Sequence, residues 1–191
     1  MNHLMIDLET MGKGNKAAIV EIGAVFFDPI LGSIGDTFCQ KINLESSVGY
    51  GLEIDTSTVL WWMKQSDEAR EKLTGSIALD LPDVLNDFGT FISNKSGLKL
   101  VKPWGNGASF DLVILGSAYK ALNWVVPWQF YNERDVRTVV DLGKIIGFDP
   151  KKDMPFEGVK HSALDDAIHQ AKYVSAIIQR LTVAKAGIKQ P

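Results

Sequence analysis

Cysteine is almost absent: Cys39 is the single one in 191 residues. One cysteine excludes an internal disulfide and a cysteine-rich zinc site. In the strand-like run "DTFCQKI" it reads as a buried or half-buried small hydrophobe rather than a nucleophile. Long apolar runs are missing as well. No window reaches the roughly 18 apolar residues of a membrane-spanning helix. Asp7 and Glu9 interrupt the one N-terminal apolar run, so no signal peptide is read there. The expectation is a soluble protein of a reducing cytoplasm, with no membrane partner. Positive charge is not in excess either: 20 Lys and Arg against 23 Asp and Glu leave a net charge of −3. A protein that grips long nucleic acid by charge alone is usually basic. Any such grip here must be local, or carried by bound cations. Repeats, low-complexity segments and linkers are missing too.

The apolar content is 46%, enough for a sizeable core. The length fits one domain, read as residues 1–183, followed by a flexible tail at 184–191. Residues 3–9, 17–28 and 36–43 read as three strands joined by short turns, an antiparallel meander. The text then turns helical at 55–73, with Ser66 as an N-cap before "DEAREKL", and again at 81–95, where Pro82 suits a first turn. A strand follows at 98–104, a helix at 110–122 and a short strand at 129–132. Helices at 135–147 and 162–181 close the chain, the last with Ala167, Ala171, Val174, Ile178 and Leu181 on one stripe. This order predicts an α/β fold: one mixed sheet with helices on its faces.

Three stretches need a chemical reason. In "MIDLET", Asp7 and Glu9 are two apart on a strand and so point to the same side. A strand with one wet face would tolerate them, since Leu4, Ile6 and Leu8 make the other face apolar. Like charges side by side on a sheet are nonetheless unfavourable, and a shared divalent cation removes the conflict. In "WGNGASFDLVIL", Asp111 stands where a strand gives way to a helix. The helix dipole alone favours an acid there. Gly105 and Gly107 beside it would let backbone approach a ligand. In "HSALDDA", Ser162 and Asp165 have capping-box spacing, which gives Asp165 a structural task and leaves Asp166 without one. His161 and Asp166 are about 140° apart on an ideal helix. They converge only if His161 lies on the loop before the cap.

The conjunction of these motifs, "IDLETMG", "IVEIGAVFFD", "FDLVIL" and "HSALDDA" across residues 3–182, resembles the DEDDh superfamily of 3′–5′ exonucleases. Within it the chain looks most like the small phage and bacterial exonucleases with a Trp-Trp pair. The resemblance implies a ribonuclease-H-like three-layer fold with a mixed, approximately five-stranded sheet, the first three strands antiparallel and helices on both faces. It implies that Asp7, Glu9, Asp111 and Asp166 bind two Mg2+ or Mn2+ and that His161 is the general base. It implies hydrolysis of single-stranded RNA or DNA, or of 3′ overhangs, to nucleoside 5′-monophosphates, with His161 taking the proton of the attacking water. Many relatives carry Asn four residues before the third acid. Here that position is Gly107, and Asn106, the candidate substrate contact, lies one further away.

Substrate contacts are expected from Thr10, Met11 and Gly12, directly after the first acids, where relatives hold the terminal nucleotide. Trp61 and Trp62 are adjacent, so on a helix they face about 100° apart. One can enter the core while the other stacks on a base; both being core residues is the competing reading. Arg134 and Arg137 could contact phosphate or simply decorate a solvated helix. Glu21 recurs in such relatives, but its spacing shows no role. His3, His169, Asp135 and Asp141 read as incidental or helix-capping. The alternatives are a catalytically silent module that holds 3′ ends, and another ribonuclease-H-like enzyme, an endonuclease or strand transferase. A homodimer is compatible with an acidic chain that would borrow basic residues from its partner.

Overall fold

A computed structural model describes residues 1–74 and 77–187. Its centre is a five-stranded sheet in the order β3-β2-β1-β4-β5. Strands β1 (His3–Thr10), β2 (Ile19–Asp28) and β3 (Ser33–Lys41) form the antiparallel meander. β4 (Lys102–Gly105) runs parallel to β1, and β5 (Arg134–Asp135) parallel to β4. Between β3 and β4 come α1 (Leu44–Gly49), α2 (Thr56–Trp62), α3 (Asp67–Thr74) and α4 (Leu81–Lys95). After β4 come α5 (Asp111–Ala121), then β5, α6 (Val136–Ile145), α7 (Pro150–Asp153) and α8 (Ala163–Gly187).

Two apolar layers hold the sheet, and the alternation along β1 assigns each residue to one of them. Leu4, Ile6 and Leu8 face the layer built by Leu81, Val84, Leu85, Phe88 and Ile92 of α4 and by Ile114, Leu115 and Ala118 of α5. Met5 faces the layer built by Val136 of α6 and by Ala167, Ala171, Val174 and Ile177 of α8. Each fully buried aliphatic side chain stabilises by roughly 1.5–3 kcal/mol, so slipping β1 by one residue would invert both layers. Asp7 and Glu9 continue the Met5 row. Their side of the sheet is therefore covered, not wet, and Glu9 is only 8% exposed.

One glycine sets how closely α8 approaches. Gly23 lies opposite Asp7 in the β1/β2 register. A Cβ on Gly23 would fall 2.1 Å from the carbonyl carbon of Ala163. The missing side chain lets the first residue of α8 rest on the sheet, beside the acids.

Four expectations differ from the structure. The strand expected at 129–132 is a short 3-10 turn, Phe130–Asn132, and the pairing strand is the two-residue β5 that follows. Phe130 and Tyr131 are 78% and 64% exposed, so their β-prone composition reflects a surface, not a sheet. The strand at 98–104 contracts to Lys102–Gly105. Cys39 is exposed, because β3 is the outer strand of the sheet. The expected tail at 184–191 continues α8 as far as Gly187, and 188–191 lie outside the described residues. Ser66 does cap α3, its Oγ accepting the Ala69 N–H at 3.3 Å. Among the described residues no helix is long and apolar enough to cross a membrane.

Candidate active site

Three elements bring their acids to one end of β1. Asp111 opens α5 and is 1% exposed. Its Oδ1 accepts the Leu8 N–H at 3.2 Å and its Oδ2 accepts the Asn106 N–H at 2.8 Å. Those bonds pin the turn after β4 to β1. Asp166 stands in the first turn of α8, and its Oδ2 accepts the His161 N–H at 2.9 Å. His161 is on the loop before the helix, as the five-residue spacing demands. It holds a left-handed φ of 63°, a conformation that costs a non-glycine residue roughly 1–3 kcal/mol and persists only where its surroundings enforce it. Glu9, His161 and Asp166 present ligand atoms that all lie within 4.8 Å of one another.

Burial raises the proton affinity of all four acids, and neighbouring like charges add to it at Asp7 and Glu9. Glu9 is pushed up from 4.5 to about 9 by burial, then by the charges of Asp166, Glu21 and Asp111. Asp7 is raised well above the carboxylate range, by burial first and then by Asp111, Glu9 and Asp166. Asp111 reaches about 6, its burial offset by the backbone N–H groups it accepts. Burial raises Asp166 too, against the His161 N–H bond. The folded state thus binds more protons than the unfolded chain. This contribution to stability is full below the ordinary carboxylate range and is lost as pH rises through about 9 for Glu9. In EDTA the Tm should accordingly fall between about pH 5 and about pH 9. Added Mg2+ or Mn2+ should restore it at the alkaline end, since an ion that binds only the folded state stabilises it by mass action. A Tm indifferent to both pH and cation would contradict this electrostatic account.

Beside the acids lies a pocket of about 470 Å³, lined by Glu9, Thr10, Gly12, Trp61, Trp62 and Phe110 among others. The two tryptophans divide as their helical spacing allows. Trp62 is 4% exposed and its Nε1–H donates to the Thr10 carbonyl at 3.0 Å. Trp61 is 43% exposed and meets the His161 ring edge-to-face, centroids 4.9 Å apart. Thr10 is buried, its Oγ1 donating to the Gly12 carbonyl at 2.8 Å. Glu9 is the acid that lines this pocket, and it joins the pocket to His161 and Asp166 beside it.

The sequence matches the Rv2179c-like 3′–5′ exoribonuclease domain over residues 2–178. The chain belongs to this exonuclease family. It is also 31% identical, over 168 aligned residues, to an exodeoxyribonuclease of Enterobacteria phage T4, with 74% of this chain and 71% of that protein covered. Among solved structures, the fold is shared with a full-length 3′-exonuclease (TM-score 0.58, 14% identity, 98% of this chain and 84% of that one). It is shared too with the nuclease domain of 3′hExo, a DEDDh family member bound to rAMP (TM-score 0.54, 16% identity, 98% and 94%). The ribonuclease-H-like mixed sheet and the 3′–5′ exonuclease class expected from the sequence both stand.

The remaining expected contacts of this exonuclease are less uniform. Met11 is a core residue, 8% exposed, whose carbonyl accepts the Asp55 N–H. Asn106 reaches Asp111 through its backbone, not its side chain. Arg137 lies against Gly107, where a Cβ would sit 3.3 Å from the guanidinium carbon. Arg134 does not join the site. Its Nη1 donates to the Tyr131 and Glu133 carbonyls, and its strand register is with Trp104, at the Met5 level of the sheet. His3 accepts the Trp104 Nε1–H at 3.0 Å, Asp135 caps α6 through Thr138, and Asp141 pairs with Lys144, so all three have structural tasks.

Two participants carry no spacing signal. Glu21 is 4% exposed and lies directly opposite Glu9 on β2. Its Oε2 accepts the Ala163 N–H at 3.0 Å. It therefore caps α8 from another strand. The capping box expected of Ser162 and Asp165 does not form, because Asp165 accepts the Val159 N–H instead. Gln170, one turn beyond Asp166, donates through Nε2 to Asp7 Oδ1 at 2.7 Å, and its buried Oε1 has no partner among the described residues. Glu21 could have been flagged by the signal that flagged Asp7: an acid inside a run otherwise apolar. The donor set suits a hard divalent cation. It consists of carboxylate oxygens with one imidazole, and the acids' mutual repulsion is what a cation would relieve.

Proposed function

We propose that the protein removes nucleotides from the 3′ ends of single-stranded RNA or DNA, or of 3′ overhangs, releasing nucleoside 5′-monophosphates. The observation that carries this is the approach of Glu9, His161 and Asp166 to within 4.8 Å beside the tryptophan-walled pocket. In this reading Asp7, Glu9, Asp111 and Asp166 hold two Mg2+ or Mn2+, and residues 1–183 form the catalytic domain. Held by these carboxylates, divalent cations would supply the positive charge that lets an anionic phosphodiester enter and be attacked there.

The chain's own residues do the rest. The pocket floor at Thr10 and Gly12 and the wall at Trp61 receive the terminal nucleoside, which places its 5′-phosphate at the acids. His161 accepts the proton of the attacking water. A new P–O bond forms, the bond from phosphorus to the preceding nucleotide's 3′-oxygen breaks, and that oxygen leaves to be protonated. Gln170 holds Asp7, and Glu21 holds the helix start that carries Asp166 and follows His161. 3′hExo bound to rAMP and Exonuclease I of E. coli bound to single-stranded DNA support the direction and strandedness of this reading. The test is 3′- and 5′-labelled single-stranded RNA and DNA with Mg2+, Mn2+ or EDTA, and a circular single strand as control. Mononucleotide release from the 3′ end in the presence of cation is expected. Cleavage of the circle, or activity in EDTA, would overturn the proposal.

A further inference from the structure

The acid cluster separates two cavities of different character. One is the tryptophan-walled pocket. The other is a groove of about 620 Å³ between α6, α7 and α8, reached across Asp166 and rimmed by Arg137, Lys144 and Lys151. We propose that this groove is the track for the phosphodiester backbone upstream of the scissile bond, and that its ligand is a single-stranded polynucleotide. The inference rests on the function proposed above.

The connectivity of a nucleic acid supplies the first argument. A 3′-terminal nucleotide is joined to its strand through one phosphate. With the nucleoside in the pocket and that phosphate at the acids, the strand continues on the side away from the pocket. The groove is that side. It shares Asp166 with the acid cluster and Asn106 with the turn that Asp111 anchors.

Charge supplies the second argument. The chain as a whole is at −3, so contacts to successive phosphates must come from a local strip of cations. The groove offers one. Arg137 is held at its inner end, against Gly107 in the turn that Asp111 anchors. Gly107 adopts a φ of +130°, and any side chain there would occupy the space the guanidinium uses. Lys144 is shared with Asp141 in an exposed pair at 3.1 Å, an interaction weak enough for a phosphate to displace. Lys151 stands on the opposite wall, from α7. Tyr173 lines the groove as a buried residue, beside Gln170, which reaches Asp7.

The experiment compares wild type with a K144E/K151E double variant on a labelled single-stranded decanucleotide in Mn2+. A K99E/K120E variant, of equal charge change, reverses exposed lysines outside the groove. The groove variant should raise KM by about tenfold or more, change kcat little, and flatten the salt dependence of KM by about two phosphate contacts. A rise below about twofold, or an equal rise in the control variant, would overturn the track. Wild type is assayed in parallel on a nucleoside 5′-p-nitrophenyl phosphate, which has no upstream phosphate. If wild type hydrolyses neither substrate, the proposed function itself is wrong. If wild type is active and the groove variant matches it, only the track is wrong.

Discussion

His161→Ala is expected to lower kcat on a 3′-labelled strand by about 10²–10⁴-fold, the range for losing a general acid–base group, and to leave the protein folded. The structure separates the two roles of this residue. The bond to Asp166 is made by the His161 backbone N–H, so alanine retains it. What is lost is the ring, which sits between Trp61 and the acids. Asp166→Asn is the companion variant. Its side-chain oxygen can still accept the His161 N–H, but one charge of the crowded cluster is gone. It should be as inactive as the alanine variant and, in EDTA at alkaline pH, at least as stable as wild type. Single-turnover hydrolysis and thermal melts by circular dichroism separate these outcomes. Wild-type activity in either variant would remove His161 or Asp166 from the chemistry.

Gly23→Ala should be the more damaging change to the fold. The added methyl would stand 2.1 Å from the Ala163 carbonyl carbon and 2.2 Å from the Leu164 nitrogen. Backbone atoms cannot rotate aside, so β2 and α8 must part. Overpacking of this kind costs about 1–3 kcal/mol and sometimes more. For a chain of this size that amounts to several degrees of Tm. Activity should fall as well, because the displaced segment carries the His161 loop and Asp166, and because Glu21 then loses its reach to the Ala163 N–H. A variant that melts with wild type and hydrolyses at its rate would show that α8 does not rest on β2 as described.

Composition and periodicity made the framework legible. β1 and β2 read as strands through their β-branched and aromatic content because both faces meet a dry layer, and the apolar stripes of α4 and α8 show because one face of each does. Asp7, Glu9, Asp111, Asp166 and His161 stood out through the order and spacing of their motifs taken together, since Asp7, Glu9 and Asp111 each had a structural reading of their own. The misses share a different cause. β5 is two residues long, too short to carry any period, and the aromatic surface turn before it looked more like a strand. The cap of α8 was sought within four residues, at Ser162 and Asp165, whereas Glu21 supplies it from 142 residues away. Local spacing cannot express such a bond. Arg134 and Arg137 are three residues apart, yet the strand-to-helix junction between them sends one to the Met5 level of the sheet and the other to the acids.

The hydrogen bond from Trp62 to the Thr10 carbonyl bears on turnover. It bolts α2, one wall of the nucleoside pocket, to the strand that carries Asp7 and Glu9. Floor, wall and two of the four acids are thus a single rigid jaw. The opposing jaw is the loop before α8, fastened to the helix by the His161 and Val159 N–H bonds to Asp166 and Asp165, with the His161 ring against both tryptophans. Each 3′ end admitted to the pocket in turn therefore meets its wall and the acids of β1 at one fixed spacing.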